Sequence, residues 1–167
     1  MISKTHIQKT VTQLAKLHQE NIGDRKGLYF AKLAILEVCG WIEESMDNIV
    51  LLYANRHLSD VQNTNYTRTE IIKRTTSFEY DRHFRLMLMR ILGIIGLEKL
   101  EMRFDTTKFT NMRSSLSLLK QSRDQQAHTH IKGTTMVIDA PSVTERHFQN
   151  VYIGLKHIES LIRKVKI

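Results

Sequence analysis

Leu28–Leu58, "LYFAKLAILEVCGWIEESMDNIVLLYANRHL", runs for about thirty residues with no proline and a single glycine, and helix formers dominate it. Leu33, Leu36, Trp41, Met46, Ile49 and Leu52 are among its apolar positions, and their spacing predicts one long helix, the longest of the core. Gly40 is expected to mark close packing or a slight bend. Upstream, Ser3–Asn21 carries Ile7, Val11, Leu14 and Leu17 at helical spacing, and Gly23 and Gly27 are expected to end that amphipathic segment.

Downstream, "SDVQNTNYT" (59–67) is polar and reads as a connector. Thr67 with Glu70 has capping-box spacing for a short helix around "EIIKR". Thr76 with Glu79 repeats that spacing before "YDRHFRLMLMRILGIIGLEKLEMRF" (80–104), in which Phe84, Met87, Leu88, Ile91, Ile95 and Leu97 are expected inside and the methionines are core filler. Asp105 or Thr106 caps a further helix bearing Phe109, Met112, Leu116 and Leu119. From Thr129 to Pro141, Gly133, the β-rich "TTMVI" and the only proline predict an irregular connection with a short extended piece. Ser142 and Glu145 then form another capping box. The helix they open carries Phe148, Val151, Leu155, Ile158, Ile162 and Val165 on one face, with Arg163, Lys164 and Lys166 at its basic end. The expected architecture is one all-α domain, 1–167, of four main helices plus one or two short ones.

Lys and Arg number 25 against 17 Asp and Glu, a formal charge of +8 that favours a polyanionic partner such as nucleic acid. The single cysteine, Cys39, has no intrachain partner, which excludes an intrachain disulfide and a Cys-based zinc site and suits a reducing cytoplasm as a buried thiol. No window approaches the ~18 uninterrupted apolar residues of a membrane span, so no membrane partner is expected. There is no glycine-rich phosphate loop, no H-E-x-x-H pair and no calcium loop, so neither cofactor nor metal is expected. Glu43 and Glu44 are adjacent, about 100° apart on a helix, and at least one belongs to a solvated face. Asp81, Arg82 and Arg85 open the 80–104 segment either as a solvated first turn or as an RNA-contacting patch, with Arg82 and Arg85 the candidate contacts.

The apolar rhythm of the helix after Asp105 stops at Leu119 and runs into "QSRDQQAHTH" (121–130), which sets four residues between Arg123 and His128, Asp124 first among them, with His130 beyond. Spacing of this kind arises by accident in a chain rich in Arg and His. Its position at the end of an amphipathic helix in a basic, helical chain gives it more weight.

Here the sequence resembles the HEPN superfamily, small helical bundles with an R-x(4–6)-H signature, and its prokaryotic branch grouped as RiboL-PSP-HEPN. "RDQQAH" fits the signature, "THIKGTTMVIDAPS" is similar to that branch's downstream segment, and "AILEVCGWIEESM" to its long second helix. The likeness extends from about Ala31 onward. It implies a metal-independent endoribonuclease acting as a homodimer whose two motifs face each other, yielding a 2′,3′-cyclic phosphate and a 5′-hydroxyl. It further implies His128 as acid and base, Arg123 on the scissile phosphate, Asp124 as an orienting or capping residue, and a toxin or defence role with an antitoxin or defence-system partner.

Two departures stand out: aspartate follows the arginine where asparagine is commoner, and His130 occupies the place of the tyrosine found in toxins of this group that are paired with a nucleotidyltransferase. His130 is open to a supporting acid–base role or to a plain surface one. Two other readings stay open, a non-catalytic HEPN module that binds RNA, nucleotide or a partner protein, and a structural helical domain in which Arg123 and Asp124 form an ion pair.

Overall fold

A computed structural model of the chain describes residues 1–133 and 136–165. Among them the elements are α1 (Thr5–Glu20), α2 (Arg25–His57), α3 (Val61–Tyr66), π-helical turns at Thr67–Ile72 and Tyr80–Phe84, α4 (Arg85–Glu101), α5 (Thr106–Ala127) and α6 (Pro141–Ile162). The fold is all-α, with five helices of 16 residues or more where four were expected.

The 33-residue α2 is the spine, roughly 50 Å long at 1.5 Å per residue. Asp24 starts it by accepting a hydrogen bond from the Lys26 amide at 3.1 Å. Ala34, Ile35, Val38, Ile42, Met46, Ile49, Val50 and Tyr53 recur at three- and four-residue steps and are buried. α1, α5 and α6 all pack on this spine, and α5 and α6 pack extensively on each other. Trp41 ties α2 to the chain start through an indole hydrogen bond to the Ser3 carbonyl at 3.0 Å and meets Phe148 of α6 edge to face at 5.0 Å. Gly40 is exposed with open space around it, so it neither packs closely nor is needed for a neighbour, and Leu33 is 42% exposed. Gly27 lies inside the first turn of α2; only the 21–24 turn, with Gly23 at φ +86°, separates the two helices.

The segment 59–67 is not a connector. Asp60 accepts from the Gln62 amide at 2.7 Å and opens α3, which continues directly into the first π turn. Burial of Thr67, Ile71 and Ile72 holds that polar stretch in helical form. Thr67 is therefore no cap: its hydroxyl donates to the Asn63 carbonyl at 3.0 Å, one turn back. Likewise Glu79 precedes the second π turn without a side-chain cap from Thr76, and α6 begins at Pro141 after Ala140, with no Ser142 cap. Asp105 does cap α5, accepting from the Lys108 amide at 2.9 Å.

Gly93 overturns the expected burial of Ile95. It sits at φ +68°, ψ 167°, a region open essentially to glycine alone, and breaks the helical phase of α4. Phe84, Met87 and Leu88 before it and Leu97 and Leu100 after it are buried, whereas Ile94 and Ile95 are each 68% exposed. No strand occurs among the described residues; of "TTMVI", Thr134 and Thr135 lie outside them, as does Lys166. No helix among the described residues is long and apolar enough to cross a membrane.

Candidate functional site

Arg123 lies one turn before the end of α5, and His128 is the residue that closes the helix. Five residues at 100° each turn the two side chains about 140° apart, so they leave the helix on different faces. Arg123 points inward. Its Nη2 stands 3.8 Å from Glu43 Oε1 of α2 and 3.4 Å from Ser77 Oγ, and its guanidinium lies over the Phe78 ring at 5.4 Å. Its Nε is 3.0 Å from Asp124 Oδ1, yet that contact lacks hydrogen-bond alignment and leaves a buried N–H donor unfilled.

Asp124 spends its other oxygen on Lys120 at 2.6 Å. The Lys120 hydrogen bond, helped by the charges of Arg123, Lys120 and His128 and opposed by burial, holds the Asp124 carboxyl below its usual range. Arg123 and Lys120 thus face Glu43 and Asp124, two positive charges against two negative. Behind them, burial is the main cause that pushes the Cys39 thiol up to about 12, which leaves it protonated and unreactive.

His128 and His130 are both exposed, and neither ring has a hydrogen-bond partner among the described residues. Their backbone is nonetheless fastened. Lys32 Nζ donates to the Thr129 carbonyl at 2.7 Å, Arg25 donates to the Ile131 carbonyl at 2.6 Å, and Ile131 is buried. The imidazoles therefore stand on a fixed platform at the end of α5, facing solvent.

Arg82 and Arg85 part company. Arg85 forks onto Glu101 at 2.8 and 3.1 Å, and the Tyr80 hydroxyl donates to the same carboxylate at 2.8 Å, inside a cluster of Tyr80, Phe84, Phe104 and Phe109. Arg82 is exposed and has no ion-pair partner among the described residues. Neither touches Arg123. No group of three or more His, Cys, Asp or Glu able to hold a metal occurs among the described residues.

Glu43, Ser77, Phe78, Lys120, Lys32 and Arg25 were not singled out from the sequence as members of this site. Glu43 alone left a trace, as one of the paired acids of α2. One turn further along α2, Asp47 is the strained member of that acidic face. Burial first, then the charges of Glu43 and Glu44, push its carboxyl up from the ordinary 3.8 to about 6. A raised acid favours the protonated fold, so its contribution is fully present below about pH 4 and is lost as the pH rises through 6. Asp47→Asn is expected to stabilise the protein at pH 7 by about 1–3 kcal/mol and to change little at pH 4, as measured by urea melts at the two pH values.

No protein-family model, no curated protein and no solved structure matches this chain, so its function is argued from these residues alone.

Proposed function

We propose that this chain is a HEPN-like, metal-independent endoribonuclease that acts as a homodimer. The observation that carries this reading is the end of α5. There a partly open guanidinium, 29% exposed, and an anchored, solvent-facing imidazole with unengaged ring nitrogens stand within about one helical turn of each other on different faces.

Cleavage by transesterification requires a base to remove the 2′-hydroxyl proton. The 2′-oxygen then attacks phosphorus, the P–O5′ bond breaks, and an acid protonates the departing 5′-oxygen. Imidazole is the side chain whose charge changes nearest neutral pH, and a single ring does not serve as base and acid at once. The 140° divergence of Arg123 and His128 within one α5 makes the same point geometrically. A second copy related by a twofold axis supplies the second His128, while Arg123 uses its fork on the phosphate as charge grows on its oxygens. Asp124 orients Arg123, and Arg82, exposed and unpaired, is an RNA contact. His130 stands beside His128 on the same platform as a supporting acid or base. The protein works in the reducing cytoplasm, as a toxin or defence effector restrained by an antitoxin or defence-system partner.

A second reading is favoured by one observation. Glu43 and Asp124 already neutralise Arg123, as in a non-catalytic module that only binds RNA, nucleotide or a partner protein. Incubating RNA in excess EDTA with the wild type and with His128→Ala separates the two. The nuclease reading expects cleavage by the wild type only, with cyclic-phosphate ends. Cleavage stopped by EDTA removes the metal-free mechanism, and RNA retained uncut by both proteins favours the binding module.

A further inference from the structure

Two cavities lie against α4, one beside α2, α3 and the first π turn and the other beside residues 74–76 and the second π turn, and Arg90 lines both. The first, of about 230 Å³, is walled by Tyr53 and His57 of α2, whose rings lie 4.4 Å apart, and by Tyr66 and Asn63. Tyr66 is 60% exposed at its rim. Tyr53 is 4% exposed, and its hydroxyl has no hydrogen-bond partner among the described residues. A buried hydroxyl left unpaired costs about 1–3 kcal/mol, so this wall holds polar capacity that the fold leaves unused.

The second cavity, of about 190 Å³, is open and lined by Arg74, Arg82 and Arg90 together with Thr75 and Thr76. Arg74 pairs with Glu70 at 2.8 Å, and Arg90 Nη1 donates to the Glu70 main-chain carbonyl at 3.2 Å. Three guanidiniums thus line a cavity beside two carboxylates, Glu70 paired with Arg74 and Glu79 next to His83. His83, also at this cavity, stands 3.8 Å from Glu79, too far for a hydrogen bond, and both facing atoms are unpartnered.

We propose that these two cavities form one nucleotide-binding site, with the base among Tyr53, His57 and Tyr66 and the phosphate on Arg74, Arg82 and Arg90. An apolar ligand would use only the first cavity, and a bare anion only the second. A ligand that joins a flat ring system to a phosphate uses both across Arg90. Stacking of a base on an aromatic side chain is worth about 1–3 kcal/mol, and the planar guanidinium matches phosphate oxygens as a fork. The size of the aromatic cavity agrees: 230 Å³ is below the roughly 300–1,000 Å³ of drug-sized ligand sites, which suits one ring system and not a peptide side-chain cluster. The site shares no residue with the Arg123–His128 platform, and of its residues only Arg82 is assigned above as an RNA contact, so it does not require the nuclease reading to hold.

The same chemistry is offered by a free nucleotide and by one nucleotide of an RNA strand, and the test distinguishes them. Binding is measured by calorimetry with the His128→Ala chain, so that no substrate is consumed. The probes are AMP, adenosine, ribose 5-phosphate and a single-stranded oligoribonucleotide of about ten nucleotides. Tyr66→Ala and Arg82→Ala are the variants, both at exposed positions, with circular dichroism confirming the fold. Saturable AMP binding, about tenfold tighter than adenosine or ribose 5-phosphate and weakened about tenfold by each variant, assigns the site to free nucleotides. No AMP binding, with oligoribonucleotide affinity falling about tenfold in each variant, assigns it to the strand. Loss in only one variant, equal binding of AMP and ribose 5-phosphate, or no loss for any probe overturns the proposal. Failure of the nuclease reading would appear separately, as wild-type RNA left uncut.

Discussion

Lysine at position 123 is expected to lower RNA cleavage by about 10²–10³-fold, nearly as much as alanine does. The loss follows from shape more than from charge. Arg123 lies over Phe78, reaches Ser77 and Glu43 with Nη2 and holds its buried Nε beside Asp124, while its Nη1 has no partner among the described residues and is the donor left for a phosphate oxygen. An ammonium has no planar fork and cannot fill those directions together. Removal of one preorganised donor from a developing oxyanion typically costs 10²–10³ in rate. Stability should change little, because the Arg123 and Asp124 side chains are 29% and 44% exposed and ion pairs of that kind contribute about 0–1 kcal/mol. The measurement is kcat/KM on one RNA for the wild type, Arg123→Lys and Arg123→Ala, beside thermal melts. Near-normal cleavage by the lysine variant would reduce Arg123 to a point charge, and near-normal cleavage by both would remove it from the reaction.

The largest structural effect is expected at Gly154→Val. A Cβ at this position of α6 would stand 2.5 Å from Met112 Cβ and 2.7 Å from its Cγ and Sδ, where α5 and α6 pack. The Met112 Cβ is fixed by the α5 backbone and cannot swing aside, so the helices must part. Overpacking of this kind costs about 1–3 kcal/mol, at the upper end for a branched side chain, which corresponds to a melting-temperature drop of roughly 5–12 °C at this chain length. Gly154→Ala should lose less, since alanine regains up to about 1 kcal/mol of helix propensity. The double variant Gly154→Val with Met112→Ala should recover part of the loss. Full additivity in denaturant melts would show that the two residues do not meet.

The long elements were legible because their apolar spacing and their burial obey the same geometry. Of the α2 positions read from the sequence Met46 and Ile49 are buried, Leu36, Trp41 and Leu52 are half-buried and Leu33 is exposed; Phe148, Val151 and Leu155 of α6 are buried, and Cys39 is the buried thiol expected of its position. Gly93 was not legible. A glycine inside an apolar helical run is usually tolerated, and only its φ of +68° reveals that the helix restarts in a new phase and turns Ile95 outward. Capping signals misled for a related reason. Thr67 and Glu70 have the right spacing, but Asp60 had already started the helix, and α6 begins at Pro141, leaving Glu145 to accept from Gln8 of α1. The candidate site was half legible. Arg123, Asp124 and His128 are close in sequence, whereas Glu43 and Ser77 reach Arg123 across 80 and 46 positions, and no local spacing encodes that meeting.

The platform under the two imidazoles is held through the carbonyls of Thr129 and Ile131, which Lys32 and Arg25 grip. Every amino acid brings a carbonyl. Exposed side chains along this rim can therefore be exchanged over evolutionary time without releasing the anchor, so recognition can drift from one target to another while the scaffold beneath it stays put.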